Sequence, residues 1–335
     1  MSEAESFTAI AGKRLLVTGG FGFLASALVA ILAPVECRIV RVTRQSTQPI
    51  PSPTGRVTCE HLVGNIREGG FWEHALVDVD FVFHFAAQTS LYTADENPME
   101  DWQSNVLPML SLLETCRARG WRPGILFAGS ATQFGIPSRL PVDESHSDRP
   151  VSIYDWHKLL AEGLLEHYVR RGWARGTTLR LANIYGPGPT SGKADRGILN
   201  QMLRRALRGE ALTLYGTGSQ LRDYLFVTDT INAFLAAAAH LDVVNGRHFV
   251  LGSGVGHTIA QAFGLVSERA ALLTGRNVPV VNVEPPAGLS PVEDRNFVAD
   301  ISQMFDATGW SPQVSLAEGI SLTLMAFREA GIPKQ

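Results

Sequence analysis

The stretch LLVTGGFGFLA, residues 15–25, indicates how the first part of the chain should fold. An apolar run ends in glycines, and a helix-like stretch follows it. Gly19 allows a tight turn, Gly22 lets backbone N–H groups approach an anion, and Ala25 is small enough for close helix–strand packing. The partial positive charge of a helix N-terminus favours a pyrophosphate there. An ordinary strand–helix turn is the alternative, but a position directly after a first strand favours dinucleotide binding.

Strand-like and helix-like segments alternate through the first half of the chain. Further apolar runs follow at RIVRVTR (38–44), VDFVFHFAAQ (79–88) and GILFAGSA (124–131), with helix-like stretches between them. Continuous apolar strands that alternate with helices predict an α/β, Rossmann-type fold, in which a doubly wound parallel sheet is covered on both faces.

After about residue 180 the pattern changes, and YGPGPTSGKADRG (185–197) is a Gly/Pro-rich loop. We therefore assign residues 1–184 to a dinucleotide-binding domain that carries the catalytic groups, and residues 185–335 mainly to a smaller substrate-binding lobe. Helix-like stretches at 199–209 and 228–241 fall in this lobe, which we expect to interleave with the sheet.

The composition excludes several classes of function. Of 335 residues, 45% are hydrophobic and 18% charged, and the net charge of -3 offers no basic footprint for nucleic acid. The N-terminus lacks an apolar signal core and the apolar runs are too short to span a membrane, so we expect a cytoplasmic protein. Three isolated cysteines and nine histidines form neither a disulfide framework nor a metal-ligand pattern, so no metal is expected.

The end of the second apolar run bears on which dinucleotide binds. An acidic residue about 20 positions after the glycine turn would bind a ribose 2′-hydroxyl. This chain has VTRQST (42–47) there, with Thr43 and Arg44 and no carboxylate. An arginine can pair with a 2′-phosphate, so the sequence favours NADP over NAD. The alternative is that Arg44 is a solvated loop residue and NAD binds without an acidic partner.

The stretch SIYDWHKLLAE (152–162) holds a tyrosine and a lysine four residues apart, Tyr154 and Lys158, which would share one face of a helix. Free tyrosine, with a pKa of about 10, is a poor base at neutral pH, but a nearby ammonium and a nicotinamide cation would favour the phenolate. The tyrosine could then move a proton while the nicotinamide moves a hydride. Ser130, in FAGSATQFG (127–135), is the candidate that orients the substrate oxygen. Taken alone, the Tyr–Lys pair would be an ordinary pair on a helix surface.

Together these features resemble the extended branch of the short-chain dehydrogenase/reductase superfamily, which contains nucleotide-sugar epimerases, dehydratases and ketoreductases. The likeness covers nearly the whole chain and rests on blocks in a fixed order: TGGFGFLA, DFVFHFAAQTS, ENPMEDWQSNV, GSATQFG, YDWHK, LRLANIYGPG, RDYLFVTD and RNFVADIS. The resemblance implies an NAD(P)-dependent enzyme, a nucleotide-diphosphate sugar as substrate, and a homodimer formed through helices at roughly 100–119 and 153–170.

The resemblance also implies a role for each matching position. Ser130, Tyr154 and Lys158 match the catalytic trio, and Lys158 would also hydrogen-bond the nicotinamide ribose. The other positions that match the cofactor site are Gly19, Phe21, Gly22, Phe23, Asn65, Ile66, Ala86, Ala87 and Gln88.

On the substrate side, Asn183 and Arg222 match residues that hold the diphosphate of the substrate, and Arg295 matches a second phosphate clamp. Arginine suits this role because its guanidinium binds a phosphate through two parallel hydrogen bonds. The alternative for each arginine is a surface salt bridge. Asn105 matches a supporting residue in a helix behind the site.

Several positions depart from the family pattern. Asn65 stands where an Asp is usual, and His157 stands where Ser or Thr often precedes the lysine. We interpret His157 as an exposed helix residue rather than a proton relay. Ala131 and Thr132 stand where the 4,6-dehydratases carry an Asp-Glu pair. Without those carboxylates the loss of water lacks a catalyst, so a dehydratase ranks low, and so does a decarboxylase, which usually carries an acidic residue in this segment.

The sequence therefore favours a nucleotide-sugar epimerase that acts at C4 through a 4-keto intermediate. The close alternative is an NADPH-dependent nucleotide-sugar 4-ketoreductase, which would use the same trio once and which Arg44 favours. A non-catalytic dinucleotide sensor is disfavoured because the trio is intact.

Overall fold

A computed structural model describes residues 3–45, 55–189, 197–285 and 291–331 of the chain. Part of the predicted Gly/Pro-rich loop, residues 190–196, lies outside these ranges. Within them the strands are β1 (Arg14–Thr18), β2 (Arg38–Thr43), β3 (Thr58–Val63), β4 (Phe81–His84), β5 (Gly124–Ser130), β6 (Arg175–Leu181), β7 (Asn183–Tyr185), β8 (Leu212–Tyr215), β9 (Leu221–Phe226), β10 (His248–Leu251), β11 (Gly256–Thr258) and β12 (Val280–Val283).

The helices of the same ranges are α1 (Glu3–Ile10), α2 (Phe23–Ile31), α3 (Gly69–Ala75), α4 (Leu91–Glu96), α5 (Pro98–Asn105), α6 (Leu107–Arg119), α7 (Ile153–Arg170), α8 (Ile198–Leu207), α9 (Val227–Ala239), α10 (Leu241–Val244), α11 (Ile259–Thr274), α12 (Ser302–Thr308) and α13 (Leu316–Glu329). Short 3-10 turns lie at Ala131–Phe134 and Pro291–Asp294. Of the helices described, none combines the length and apolar character needed to cross a membrane.

The central sheet, as far as the described residues show it, has seven parallel strands in the order β3-β2-β1-β4-β5-β6-β10. The chain winds outward from β1 in one direction and then from β4 in the other. Parallel neighbours need crossover connections, which explains the alternation of strands and helices along the sequence. The Rossmann-type, doubly wound fold predicted from the sequence is confirmed.

Helices cover both faces of this sheet. In β1, Leu15 and Val17 pack into a core with α1, α2 and α9, whereas Leu16 packs into a second core with α3, α6 and α7. Successive side chains of a strand point to opposite faces, so a strand buried on both sides has to be apolar throughout. This is why the run LLV precedes the glycines.

The second half of the chain builds a separate core and also returns to the sheet. Leu203 of α8, Phe263 of α11 and Ile320 of α13 pack together beside β8, away from the central sheet. Strand β10 pairs with β6 in the central sheet. The predicted interleaving is therefore present, while a domain boundary at residue 184 stays a prediction.

The helix expected at roughly 100–119 is confirmed over 107–119, but residues 100–105 belong to a separate helix. Helix α5 ends at Asn105 and α6 begins at Leu107, with Pro108 in the first turn of α6. Proline has no N–H to donate and its ring clashes with the carbonyl four residues earlier, so it suits a first helical turn and interrupts a continuous helix.

Candidate active site

The predicted site residues gather at the carboxyl edge of the central sheet. Gly19 follows β1, Asn65 follows β3, and Ser130 ends β5. In a doubly wound sheet the binding crevice lies outside this edge, at the point where the winding reverses. Here the winding reverses between β1 and β4, so the glycine turn and residues 86–88, which follow β4, form the two sides of the crevice.

The glycine turn fits the pyrophosphate of a dinucleotide. Gly19 has a φ of +64°, and a Cβ there would lie 3.1 Å from the backbone of Ala86. Gly22 is the N-cap of α2, and no side chain in the described part of the chain caps this helix, so its first N–H groups remain available to an anion. Phe21 and Phe23 flank Gly22 in the chain. The turn therefore has the open amides and the close backbone packing that a bound pyrophosphate needs.

A buried arginine, which was not identified from the sequence, contacts the glycine turn. Arg41 of β2 is 4% exposed, and its Nε donates to the carbonyl of Gly20 at 2.6 Å. Its guanidinium lies 4.1 Å from the ring centroid of Phe21. Arg41 thus fixes the middle of the glycine turn. Arg44, on which the preference for NADP rests, is exposed just after β2, and that preference stays a prediction.

The loop after β3, expected beside the adenine, is held by its own side chains. Asn65 Oδ1 accepts the N–H of Arg67 at 3.2 Å, and Asn65 Nδ2 lies 3.1 Å from Glu68 Oε1. The carbonyl of Ile66 accepts a hydrogen bond from Trp72 Nε1 at 2.9 Å. The Asn that replaces the usual Asp at position 65 therefore has a clear role in shaping this loop.

Residues 86–88 are fixed from two sides. Thr18 Oγ1 accepts the N–H of Ala86 at 3.1 Å and lies 3.1 Å from His84 Nδ1. On the other side of Ala87, Asn105 accepts the N–H of Gln88 at 3.1 Å and donates to its carbonyl at 3.0 Å. Asn105 is thus a supporting residue, as the sequence suggested.

His84 is a buried neutral imidazole in this wall. Burial, and then the charge of Lys158, lower the pKa of His84 to about 3. The histidine therefore supports β1 and β4 through Thr18 and carries no charge at neutral pH. A single polar residue inside the apolar run FVFHFAA (81–87) was the signal that could have identified it.

Tyr154 and Lys158 lie one turn apart on α7, as predicted, and both are buried at 7% and 3% exposure. Lys158 Nζ donates to the carbonyl of Ala128 at 2.8 Å, two residues before Ser130 on β5. This bond joins α7 to the strand that carries the serine. Burial lowers the pKa of Lys158 to about 8, and the charge of Asp101 opposes that shift. The lysine therefore remains mostly protonated at neutral pH.

A capping box sets the start of α7 and so the height of Tyr154 in the site. Ser152 Oγ accepts the N–H of Asp155 at 3.2 Å, and Asp155 Oδ2 accepts the N–H of Ser152 at 3.1 Å. The spacing S-x-x-D in SIYD is the sequence signal for this arrangement. The box therefore fixes Tyr154 in the first turn of α7.

Ser130 ends β5 and caps the 3-10 turn that follows. Its Oγ lies 2.8 Å from Thr132 Oγ1, and its N–H donates to Gln133 Oε1 at 2.9 Å. Gln133 Nε2 in turn donates to Glu162 Oε2 at 3.2 Å. Ala131 and Thr132 occupy the positions of the dehydratase carboxylates, so this turn offers hydroxyl groups and no acid.

The two predicted phosphate-binding arginines are buried, each 7% exposed, so neither is a surface residue. Arg222 Nη2 nevertheless lies 3.9 Å from the carboxylate of the half-exposed Glu293. Arg222, on β9, donates to the carbonyl of Glu293 at 2.6 Å and to the carbonyl of Arg295. Asn183, on β7, pairs in register with Tyr224, the second residue after Arg222. The strand pairing thus places Asn183 close to Arg222, and the hydrogen bond from Arg222 brings the backbone of Arg295 next to β9.

Arg295 differs from Arg222 because its Nε and Nη1 have no hydrogen-bond partner within the described part of the chain. Burial, and then the charge of Arg222, lower the pKa of Arg295 to about 10, while Asp155, Glu293 and Tyr154 oppose the shift. Buried donors without acceptors are costly and uncommon. The two free donors of Arg295 are therefore suited to an anionic ligand. The guanidinium also lies within electrostatic reach of Tyr154.

His157 is not an exposed helix residue, so that interpretation is wrong. Its side chain is 14% exposed and its Nδ1 lies 2.6 Å from Oδ2 of Asp101 on α5. The ring also packs edge-on against Trp102 at 5.6 Å between centroids. Asp101 was missed as well, although the spacing of Asp101 and Asn105, four apart on one helix, pointed to a shared face.

Comparison with known proteins identifies the class. The model of the NAD dependent epimerase/dehydratase family matches residues 15–252, and the chain belongs to this family. It is an NAD(P)-dependent enzyme of the extended short-chain dehydrogenase/reductase type. Among the described residues, no group of three or more His, Cys, Asp or Glu side chains is arranged to hold a metal ion.

Individual relatives lie at moderate identity. UDP-glucuronic acid decarboxylase 6 of Arabidopsis thaliana is 29% identical over 338 residues, which cover 96% of this chain and 91% of the relative. The structure of UDP-glucose 4-epimerase from Thermotoga maritima with UDP-glucose matches at a TM-score of 0.83 and 29% identity, with 95% and 99% covered. The UDP-glucose 4-epimerase of Thermus thermophilus, in complex with NAD, matches at 0.80 and 29%, with 95% and 100% covered.

Proposed function

We propose that this enzyme is a nucleotide-sugar 4-epimerase that acts on a UDP-hexose. The observation that carries the proposal is the buried Tyr154, one helical turn from Lys158 and within electrostatic reach of Arg295, whose Nε and Nη1 have no hydrogen-bond partner among the described residues. It combines a proton-transfer group with a site for a diphosphate. The Thermotoga maritima epimerase, which is similar along its whole length, was solved with UDP-glucose, and this supports UDP as the nucleotide.

In the proposed mechanism Tyr154 takes the proton of the sugar hydroxyl at C4. The ammonium of Lys158 stabilises the phenolate by its charge, which burial strengthens because the local dielectric is low. Ser130 Oγ donates a hydrogen bond to the same sugar oxygen and keeps it aligned with Tyr154. Bound NAD(P) would supply the hydride chemistry, taking the hydrogen of C4 and later returning it.

Epimerisation also requires that the sugar turn over between the two hydride transfers. Arg222 and Arg295 would hold the diphosphate, which does not react, and leave the hexose free to rotate about it. Because the anchoring charge lies on the diphosphate rather than on the sugar, both faces of the 4-keto sugar could be presented in turn. Tyr154 would then return the proton to O4.

The alternatives within the family are separated by what the turn after Ser130 contains. Decarboxylases match this chain about as well as epimerases do. Dehydration and decarboxylation both draw on an acidic residue near Ala131 and Thr132, and neither residue carries a carboxylate. We therefore expect no release of CO₂ from UDP-glucuronic acid and no 4-keto-6-deoxy product from UDP-glucose. Release of CO₂ at a rate comparable to epimerisation would contradict the proposal.

The 4-ketoreductase remains the second candidate, because Arg44 is exposed beside the end of β2, where it could pair with a 2′-phosphate. Absorbance of the cofactor released by denaturation separates the two. An epimerase regenerates its cofactor in each cycle and is expected to retain it through purification. Purified protein free of cofactor that consumes NADPH with a 4-keto sugar would favour the reductase.

The direct test is the conversion of UDP-galactose to UDP-glucose by the wild type and by Tyr154→Phe. We expect the variant to lose at least about a hundredfold in kcat, within the range that general acid–base groups contribute. Lys158→Met is expected to behave similarly. Unchanged turnover by Tyr154→Phe would refute the mechanism.

We also propose that the enzyme is a homodimer formed through α5 and α7. Met99, Trp156 and Leu160 are large apolar side chains on these helices, and they are 69%, 56% and 41% exposed. Sedimentation of the wild type and of Trp156→Glu/Leu160→Glu would test this, and we expect the double variant to be a monomer. The cytoplasmic location stays a prediction.

A further inference from the structure

A buried carboxylate, that of Asp101, lies in the wall of the site and has no part in the proposed proton transfer. It is 1% exposed. Its Oδ1 accepts from Gln88 Nε2 at 2.9 Å and from Asn105 Nδ2 at 3.0 Å, and its Oδ2 lies 2.6 Å from His157 Nδ1. An ionised carboxylate only accepts hydrogen bonds, so Nδ1 of His157 carries the proton.

The hydrogen bonds of Asp101 converge on the loop that lines the crevice. Gln88 is bound through its backbone by Asn105 and through its side chain by Asp101, and its amide also donates to the carbonyl of Ser90 at 2.7 Å. Asp101 and Asn105 are one turn apart on α5, and the same carboxylate oxygen joins them. The position of Gln88 relative to the glycine turn is therefore set from α5.

His157 gives this carboxylate a partner from α7. The residue precedes Lys158, at a position where a small hydroxyl residue is usual in the family that this chain resembles. Its ring is fixed between Asp101 and the edge of Trp102. Because His157 is adjacent to Lys158, the contact ties the helix that carries Tyr154 and Lys158 to the helix that holds Gln88.

Asp101 also contributes charge next to the lysine. The groups that face Lys158 are Asp101 from α5, neutral His84 from β4, and the ring of Phe127 and the carbonyl of Ala128 from β5. Of these, Asp101 carries the negative charge. It partly offsets the loss of hydration that favours the uncharged amine.

We propose that Asp101 is a positioning residue, whose carboxylate, bound by His157, holds the cofactor-lining loop at Gln88 and places a negative charge near Lys158. The inference rests on the proposed hydride-transfer function, since it concerns the same cofactor site. Asp101 would then have two separable effects. One is on the geometry of the cofactor loop, and the other is on the protonation of Lys158.

Two substitutions separate these effects. Asp101→Ala removes the acceptor of Gln88 and the charge. Asp101→Asn removes only the charge, because its Oδ1 can still accept from Gln88 and Asn105, and its amide can donate to the other tautomer of His157. The matched control is Asp242→Asn, since the Asp242 side chain is 93% exposed and pairs with Arg175 outside the site.

The first readout is the Kd of NAD and of NADP, measured by isothermal titration without a sugar. We expect Asp101→Ala to weaken the better-bound dinucleotide about three- to tenfold, the effect of one or two lost hydrogen bonds. Asp101→Asn and Asp242→Asn are expected to stay within about twofold. A wild-type Kd in Asp101→Ala overturns the positioning role. If Asp101→Ala does not fold, the second readout on Asp101→Asn still decides.

The second readout is the pH profile of kcat/KM. If Lys158 has to be protonated, activity falls as the pH rises through its pKa of about 8. Without the Asp101 charge that fall should begin about one pH unit lower in Asp101→Asn, and a merely structural residue would not move it. If kcat/KM of Asp101→Asn and of the wild type fall at the same pH on the alkaline side of the profile, the electrostatic role is overturned.

These outcomes are distinct from failure of the proposed function. If the wild type does not epimerise any UDP-hexose, the Kd comparison still tests Asp101, and the pH limb is read from cofactor binding, because Lys158 is proposed to hydrogen-bond the ribose. If the wild type epimerises and Asp101→Asn and Asp101→Ala behave like the wild type in both readouts, only the inference about Asp101 fails.

Discussion

Arg180 and Arg295 are both buried guanidinium groups, but among the described residues only Arg180 donates hydrogen bonds to carboxylates through both Nε and Nη1. Arg180 of β6 is 1% exposed, its Nε donates to Glu162 Oε2 at 3.0 Å, and its Nη1 donates to Asp148 Oδ1 at 2.5 Å. Burial alone would lower the pKa of Arg180, but its hydrogen bonds with Glu162 and Asp148 outweigh burial and raise that pKa. Arg295 has no such partners for Nε and Nη1 among the described residues, and its pKa is lowered.

The difference separates a structural arginine from a binding one. A buried charge is tolerated when carboxylates compensate it, and then the pair belongs to the framework of the fold. A buried charge that is left uncompensated costs stability, and a site for an anionic ligand gives it a function. By this criterion Arg180 supports the wall behind Ser130, and Arg295 fits the diphosphate-binding role proposed for it.

The largest expected effect is on stability, from Arg180→Met. Its loss leaves the carboxylate of Glu162, which is 4% exposed, without its main cation, and we expect unfolding to become easier by about 3–5 kcal/mol. Urea denaturation of the wild type and the variant measures this. The double variant Arg180→Met/Glu162→Gln should recover part of the loss. A change below about 1 kcal/mol would show that the network is not a framework element.

The second effect is on affinity, from Arg295→Met. The variant should bind UDP about ten- to a hundredfold more weakly, the value of one or two charged hydrogen bonds, and its unfolding free energy should fall by less than about 1 kcal/mol. Isothermal titration with UDP and urea denaturation measure the two quantities. Arg139→Met is the control, because the Arg139 side chain is 61% exposed and lies in another loop. Full UDP affinity together with a large loss of stability would place Arg295 in the same class as Arg180.

The contrast also shows which parts of the molecule could be predicted from the sequence. The glycine turn and the Tyr154–Lys158 pair depend on residues close in the chain, so local spacing was enough. Strand β6 was missed because RGTTLRL is not an apolar run, and Arg180 can be buried only because Glu162 and Asp148 reach it from 18 and 32 residues away. Pairing between distant residues leaves no pattern in a single sequence.

Strand β3 was missed for a different reason. It lies at the edge of the sheet, and its side chains are only partly buried, so TCEHLV lacks a continuous apolar character. The burial of His157 could not be predicted either, again because its partner is distant in the sequence. Its neighbour in sequence, Lys158, was identified, but its partner Asp101 lies on another helix, 56 residues earlier.

The smallest expected effect that distinguishes Arg295 from Arg180 is the uptake of protons when UDP binds. A pKa lowered to about 10 predicts that Arg295 is partly deprotonated near that pH in the free enzyme, and that a bound diphosphate raises its pKa again. Binding of UDP at about pH 10 should therefore take up roughly half a proton more in the wild type than in Arg295→Met. Titration in two buffers of different ionisation enthalpy measures the uptake, and the difference between the proteins removes the contribution of the uracil ring. Because Arg180 is already paired with carboxylates, it should contribute nothing to this uptake, and equal values for the wild type and Arg295→Met would mean that the diphosphate does not reach Arg295.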